Sequence, residues 1–167
     1  AIGRAADTHI KRRSGARPGD VIFTAGALGA SGTGLRDILA GRYDTPAAAV
    51  HRNPRPQVAE GVWLGQRHEV HAMMDISDGL ASDIRHIMER SGVGAAIDTE
   101  RIPACAGEDY VLLLTADCAD AERLAADFLA RFGAPLHPVG RITDGRELKW
   151  FENGTLRPLD WHGFTHY

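Results

Sequence analysis

The chain has 167 residues, 44% hydrophobic and 25% charged, which excludes a disordered or fibrous protein. That length suffices for one large domain whose core needs no disulfide or metal staple. A net charge of −3 with eight neutral histidines gives no electrostatic footprint for nucleic acid or an anionic membrane, and the basic group Lys11, Arg12, Arg13 and Arg17 is local.

In chain order, Pro18-Gly19-Asp20 marks a turn into a short buried strand over 21–25. Gly26, Gly29, Gly32 and Gly34 read as a flexible loop, after which Leu35, Ile38 and Leu39 begin a helix that Gly41 ends. Pro54 and Pro56 make the stretch around His51 a rigidified loop, and a helix follows over 57–65 with Pro56 suited to its first turn. "EVHAMMDI" is a strand. The clearest helix comes next: Leu80, Ile84, Ile87 and Met88 recur at helical spacing, with Asp83, Arg85, Glu89 and Arg90 expected outward and Gly92 closing it. Strands follow over 95–97 and 110–115. "ADAERLAADFLARFG" is an amphipathic helix with Leu124, Phe128, Leu129 and Phe132 expected inward. Residues 136–140 are extended, and Asn153-Gly154 centres a hairpin. The pattern predicts an α+β fold, a mixed β-sheet layered with α-helices.

Cys105 and Cys118 show neither metal-ligand spacing nor a disulfide framework and point to a reducing, cytoplasmic setting. No apolar run approaches the roughly 18 residues of a membrane span. The opening "AIGRAADTHIKRRSG" has no signal-peptide pattern and reads as the interior of a longer sequence.

The chemistry concentrates in "MMDISDGLASDI". Strand alternation puts Asp75 and Ser77 on one side and Ile76 in the core, and Asp78-Gly79 turns the chain into the helix. The N–H groups at a helix start favour an anion. Carboxylates repel phosphate, so Mg2+, an oxygen-seeking ion that bridges carboxylates to phosphates, is their natural partner. The competing reading is that Ser77 or Asp78 simply caps the helix; spacing alone does not choose. The glycine loop after the first strand lacks both the Gly-Lys-Ser/Thr ending of a P-loop and the G-x-G-x-x-G order, so a tight strand-to-helix turn accounts for it better than a nucleotide cradle. Glu108 and Asp109 of "CAGEDY" precede a buried strand. They read as a solvated edge or, at the mouth of a cleft, as recognisers of a substrate cation or hydroxyl. The tail "WHGFTHY" is a packed anchor or a stacking site for a flat ring. No hydrolase elbow or zinc spacing is present.

Taken together, "RSGARPGD", "TAGALGASGTGL", "HRNPRP", "MMDISDGLASDI", "SGVGAAID", "AGEDYVLLLT", "VGRIT" and "LDWHGF" resemble the thiamine-monophosphate kinases of the aminoimidazole-ribonucleotide-synthetase-like superfamily. The resemblance implies transfer of the ATP γ-phosphoryl group onto thiamine monophosphate, giving thiamine diphosphate, with several Mg2+ ions. It implies that Asp75 and Asp78 are Mg2+ ligands, that Ser77 and Arg13 contact ATP, and that Glu108 and Phe164 contact the thiamine side. It makes residues 1–167 the C-terminal domain of a two-domain kinase. The N-terminal domain, absent here, would carry most metal-binding aspartates and form the homodimer, so the domain alone is expected to be inactive. The chain departs from the family's pattern in having only Ala104, Cys105 and Ala106 between Ile102-Pro103 and "GEDY", and in carrying Phe164 and Tyr167 where Tyr and Phe are common. Two alternatives stand beside it: another superfamily synthetase using ATP on a different acceptor, and a non-catalytic ligand-binding module that keeps the fold.

Overall fold

The first strand, β1 (Val21–Thr24), is four residues long and buried along its whole length. The computed structural model describes residues 4–98 and 107–159. Within them, after a short 3-10 turn at Asp7–His9, the order is β1, α1 (Ala30–Leu39), α2 (Pro46–Arg52), α3 (Val58–Gly65), β2 (Val70–Asp75), α4 (Leu80–Ser91), β3 (Gly94–Asp98), β4 (Leu112–Ala116), α5 (Ala121–Phe132), β5 (His137–Thr143), β6 (Leu148–Glu152) and β7 (Thr155–Arg157). The strands make one sheet in the order β2-β4-β1-β5-β3-β6-β7. Neighbours are antiparallel except β3 and β6, which are parallel.

The period of two along each strand divides the core. Ile22, Ala72, Leu113, Ile97 and Ile142 lie with Leu80, Ile84, Ile87 and Met88 of α4. Val21, Phe23, Val70 and Leu114 lie with Leu64 of α3 and Leu124 and Phe128 of α5, where Trp63, Phe128 and Phe132 pack edge to face or tilted. The result is the expected mixed sheet covered by helices on both faces. Each fully buried Leu, Ile or Phe contributes about 1.5–3 kcal/mol.

Several local expectations are corrected. Leu129 is half exposed, because the inward stripe of α5 is narrow and is filled by Leu124 and Phe128 one turn apart. Residues 46–52 form α2 rather than a loop. Thr45 caps it, its Oγ1 accepting the Ala48 N–H at 3.1 Å, and Pro46 opens it. Pro56 lies ahead of α3, outside its first turn. Gly32 and Gly34 belong to α1, which begins at Ala30, and Leu35 and Leu39 are exposed. Gly34 is a packing device: a Cβ there would lie 2.1 Å from the Ala47 carbonyl oxygen, so only glycine lets α1 and α2 lie together. The strand expected from residue 110 begins at Leu112, because Glu108 and Tyr110 have φ of 62° and 52°. The hairpin stands as expected, with Asn153 and Gly154 both at positive φ, as a type I′ turn requires.

Candidate functional site

Asp75 ends β2, and the loop from it to α4 carries Ile76 into the core and Ser77 and Asp78 past the sheet's end. Neither Ser77 nor Asp78 caps α4; the N-cap position is Gly79, at φ 105°. Asp83, one turn inside the helix, reaches back instead, and its Oδ2 accepts the N–H groups of Ser77 at 3.0 Å and Asp78 at 3.1 Å. Asp83 is therefore buried, not outward as its place on the helical wheel predicts. It holds the loop from within, and the side chains of Asp75, Ser77 and Asp78 make no hydrogen bond among the described residues. The capping reading of this motif is thus not the one the fold adopts.

Burial raises the carboxyl pKa of Asp83 above the ordinary aspartate value, against the two backbone N–H groups and assisted by the nearby Asp78 charge. A folded-state pKa raised in this way means that the folded protein binds the proton more tightly than the unfolded chain. The contribution is present at acid pH and is lost as pH climbs from the ordinary aspartate range through the folded pKa. Asp83→Asn keeps an acceptor oxygen and removes the buried charge, so it should melt level with or above the parent at pH 7, with the gap closing on acidification. Asp83→Ala strands two N–H groups and should cost about 1–3 kcal/mol at either pH. Thermal melts of both variants from pH 4 to 8 check this, and a stable Asp83→Ala would show that the loop does not depend on this anchor.

The segment 107–111 is laid against the same loop. Glu108 N–H donates to the Ser77 carbonyl at 2.7 Å, Tyr110 N–H to Ile76 at 2.9 Å, and Ile76 N–H returns to Val111 at 2.9 Å. Gly107 is obligatory because a Cβ would lie 2.8 Å from the Ser77 carbonyl oxygen. The two acids of "GEDY" then part. Asp109 turns inward, its carboxylate accepting the N–H groups of Gly29 at 2.7 Å and Ser31 at 3.0 Å at the start of α1. That places a protein carboxylate where the positive end of α1 would otherwise draw an anion, and it fills the role a nucleotide cradle would need. Glu108 stays exposed, its Oε2 lying 3.6 Å from Nδ1 of His51.

Beside these loops opens a cavity of about 400 Å³ lined by Pro54, Pro56, Gln57, Val58, Asp75, Tyr110 and Leu112. Its back wall is fixed by the Gln57 amide, which donates to the Ala25 carbonyl at 2.5 Å and accepts the Leu112 N–H at 2.8 Å. The walls are mostly apolar, with one carboxylate among them. Arg13 follows Arg12, whose carbonyl accepts the Met73 N–H of β2 at 3.1 Å, and its own carbonyl accepts the Ser91 hydroxyl at the end of α4 at 2.8 Å. Phe164 falls outside the described residues.

Residues 17–151 match the family described as AIR synthase related protein, C-terminal domain. The chain belongs to this family. The thiamine-monophosphate kinase of Salmonella typhimurium is 32% identical over 183 residues, an alignment covering 93% of this chain and 55% of the relative. The crystal structure of thiamine-monophosphate kinase from Stenotrophomonas maltophilia superposes with a TM-score of 0.77 at 28% identity, over 92% of this chain and 56% of that one. The structure of AaThiL complexed with AMPPCP and TMP does so with a TM-score of 0.71 at 27% identity, over 93% and 53%. The chain thus spans about half the length of the curated relatives it matches, and the expected likeness to thiamine-monophosphate kinases holds along nearly all of it.

For a member of this family a divalent cation is the group to test. Among the described residues, no three His, Cys, Asp or Glu side chains gather to hold a metal by themselves. The carboxylates of Asp75 and Asp78, three positions apart and without hydrogen bonds among the described residues, nevertheless suit Mg2+, which commonly binds through one or two carboxylates and completes its shell with water and substrate phosphates. No helix of the described residues is long and apolar enough to cross a membrane.

Proposed function

We propose that this chain forms the C-terminal part of a thiamine-monophosphate kinase, which moves the γ-phosphoryl group of ATP onto thiamine monophosphate. In that reaction an oxygen of the acceptor's phosphate bonds to the γ-phosphorus, the bond from that phosphorus to the β–γ bridging oxygen breaks, and ADP leaves. One observation supports the reading above others: backbone hydrogen bonds pair the Ile76–Ser77 loop with the Glu108–Tyr110 loop, so an acidic motif suited to metal-bound phosphate and a carboxylate suited to a cation share one end of the sheet. The names of the relatives, and the AMPPCP and TMP in the AaThiL complex, agree with it.

The roles divide accordingly. Asp75 and Asp78 would hold Mg2+, which when bound supplies the charge neutralisation that clustered phosphates need. Ser77, whose hydroxyl has no partner among the described residues, contacts the nucleotide phosphates, and Arg13 adds a cation on the ATP side. Glu108 faces the positively charged thiazolium or the pyrimidine amino group, and the Phe164 ring stacks on the thiamine. No covalent nucleophile is required, because phosphoryl transfer rests mainly on positioning and electrostatics. The enzyme works in the cytoplasm as a homodimer formed through the N-terminal half that its relatives possess.

The test is formation of thiamine diphosphate and ADP from ATP and thiamine monophosphate by the enzyme that carries this chain, with aminoimidazole-ribonucleotide precursors and selenide offered as rival acceptors. Glu108→Gln should raise KM for thiamine monophosphate about 10- to 100-fold, the loss expected when a charge-assisted contact becomes neutral, and leave KM for ATP within about twofold. An equal rise in both constants would remove Glu108 from the acceptor side.

A further inference from the structure

Glu108 projects from a backbone position of positive φ, and its side chain is 55% exposed. A carboxylate so placed has three rotatable bonds and no bonded partner of its own among the described residues. The element beside it is the last turn of α2, where His51 sits with its imidazole only 17% exposed. Its Nδ1 lies 2.8 Å from the hydroxyl of Ser31 and 3.6 Å from Oε2 of Glu108.

We infer that His51 is a positioning residue for Glu108, an inference that rests on the acceptor-side reading of that carboxylate. Ser31 is almost completely buried, and its N–H is taken by Asp109, the residue next to Glu108 in the chain. Asp109, Ser31, His51 and Glu108 therefore form a circuit that leaves the "GEDY" loop, crosses α1 and α2, and returns to the same loop. Ser31 fixes the ring and the ring fixes the carboxylate. The hydrogen bond of Nδ1 is the one with the Ser31 hydroxyl, and it fixes the plane of the ring and the distance of its nitrogen from the Glu108 carboxylate. At 3.6 Å the contact with Glu108 is electrostatic rather than a formed hydrogen bond, and it biases the carboxylate without capturing it. Glu108 therefore stays available to a cationic ligand.

The sequence around the circuit is built for this approach. A Cβ on Gly34 would stand 2.8 Å from Cβ of His51 and 2.1 Å from the Ala47 carbonyl, so the glycine is what lets α2 bring the imidazole over Ser31. Thr45 caps the start of the short helix and also donates its hydroxyl to Asp37 of α1 at 2.6 Å, which fixes α2 at its other end. Among the described residues the side chains of Ser31 and His51 make no hydrogen bond or ion pair with Asp75 or Asp78, so their effect should fall mainly on the acceptor.

The experiment is steady-state kinetics on the enzyme that carries this chain, with Glu108→Gln as reference. His51→Ala should raise KM for thiamine monophosphate about 5- to 20-fold, with kcat within about threefold and KM for ATP unchanged. His51→Asn places an amide near the position of Nδ1 and should recover most of the loss. In the Glu108→Gln background His51→Ala should add less than about twofold, because its target is already gone. Ser31→Ala, which frees the ring while leaving it in place, should show a smaller rise of the same kind and serves if His51→Ala does not fold. If Glu108→Gln acts but His51→Ala and Ser31→Ala leave KM unmoved, the positioning role is overturned and the reading of Glu108 stands. If Glu108→Gln is itself silent, both fall. Full additivity of the two substitutions, or an equal rise in KM for ATP, would show that His51 only supports the fold.

Discussion

Asp75→Asn and Asp78→Asn should each lower the rate of phosphoryl transfer about 10²–10³-fold at saturating ATP, thiamine monophosphate and Mg2+, the size of defect seen when one preorganised charge-stabilising group is removed. Their melting temperatures should stay level or rise. The second half of this expectation follows from Asp83. Because its carboxylate takes the N–H groups of Ser77 and Asp78, the loop does not depend on Asp75 or Asp78 for its shape, and neither side chain bonds to the described protein. Amide replacement therefore breaks no structural hydrogen bond. It also relieves some repulsion, since the Asp78 charge already works against ionisation of Asp83. A residue whose loss harms the reaction and spares the fold is serving a ligand. Near-normal rates in both variants would return the motif to a purely local role. A fall in melting temperature matching the fall in rate would show that the carboxylates hold the loop after all.

What could be read from the sequence depended on how far apart the interacting residues lie. β1, β2 and β3, the helices α3, α4 and α5, and the hairpin at Asn153-Gly154 are written in patterns of two to eight residues, and the fold follows them. α2 escaped because its residues Pro46-Ala47-Ala48-Ala49 have no amphipathic stripe, although Thr45 before Pro46 is a sound start signal. The glycines of α1 looked like a loop because their reason lies in α2: Gly34 is small for the sake of Ala47 and His51. The site divides in the same way. The acidic loop at 75–79 and the acids at 108–109 were legible as places where chemistry could occur. The roles of Asp83 and Asp109 were not, since each is defined by a partner the linear pattern does not mark. Asp83 bonds backwards over the turn, and Asp109 bonds residues 78 and 80 positions away. Of two adjacent acids, one is a structural cap and the other stands in solvent beside a histidine, a distinction visible only once α1 and α2 are docked.

Residues 1–167 expressed alone should melt cooperatively and yet form thiamine diphosphate about 10³-fold or more slowly than a complete kinase. The fold has what independent stability requires: a continuous sheet with an apolar cluster on each face, closed by α4 on one side and by α3 and α5 on the other. The chemistry asks for more than the described residues supply. A γ-phosphoryl group in flight, a triphosphate and an acceptor phosphate bring many negative charges together, and transfer requires them to be neutralised and aligned at once. The candidate site offers two carboxylates without hydrogen bonds, and no third metal-binding side chain stands close enough among the described residues to complete a centre. The curated relatives are nearly twice as long as the matched region, so the groups that finish the site have somewhere to reside. The assay is thiamine diphosphate formation by the isolated chain, followed by the same assay after fusion to the N-terminal half of a thiamine-monophosphate kinase such as that of Salmonella typhimurium. A folded, inactive chain that gains activity on fusion is the expected result. Robust turnover by residues 1–167 alone would mean that the loops at Asp75–Asp78 and Gly107–Tyr110 already make a whole catalytic site, and the need for further metal ligands would be withdrawn.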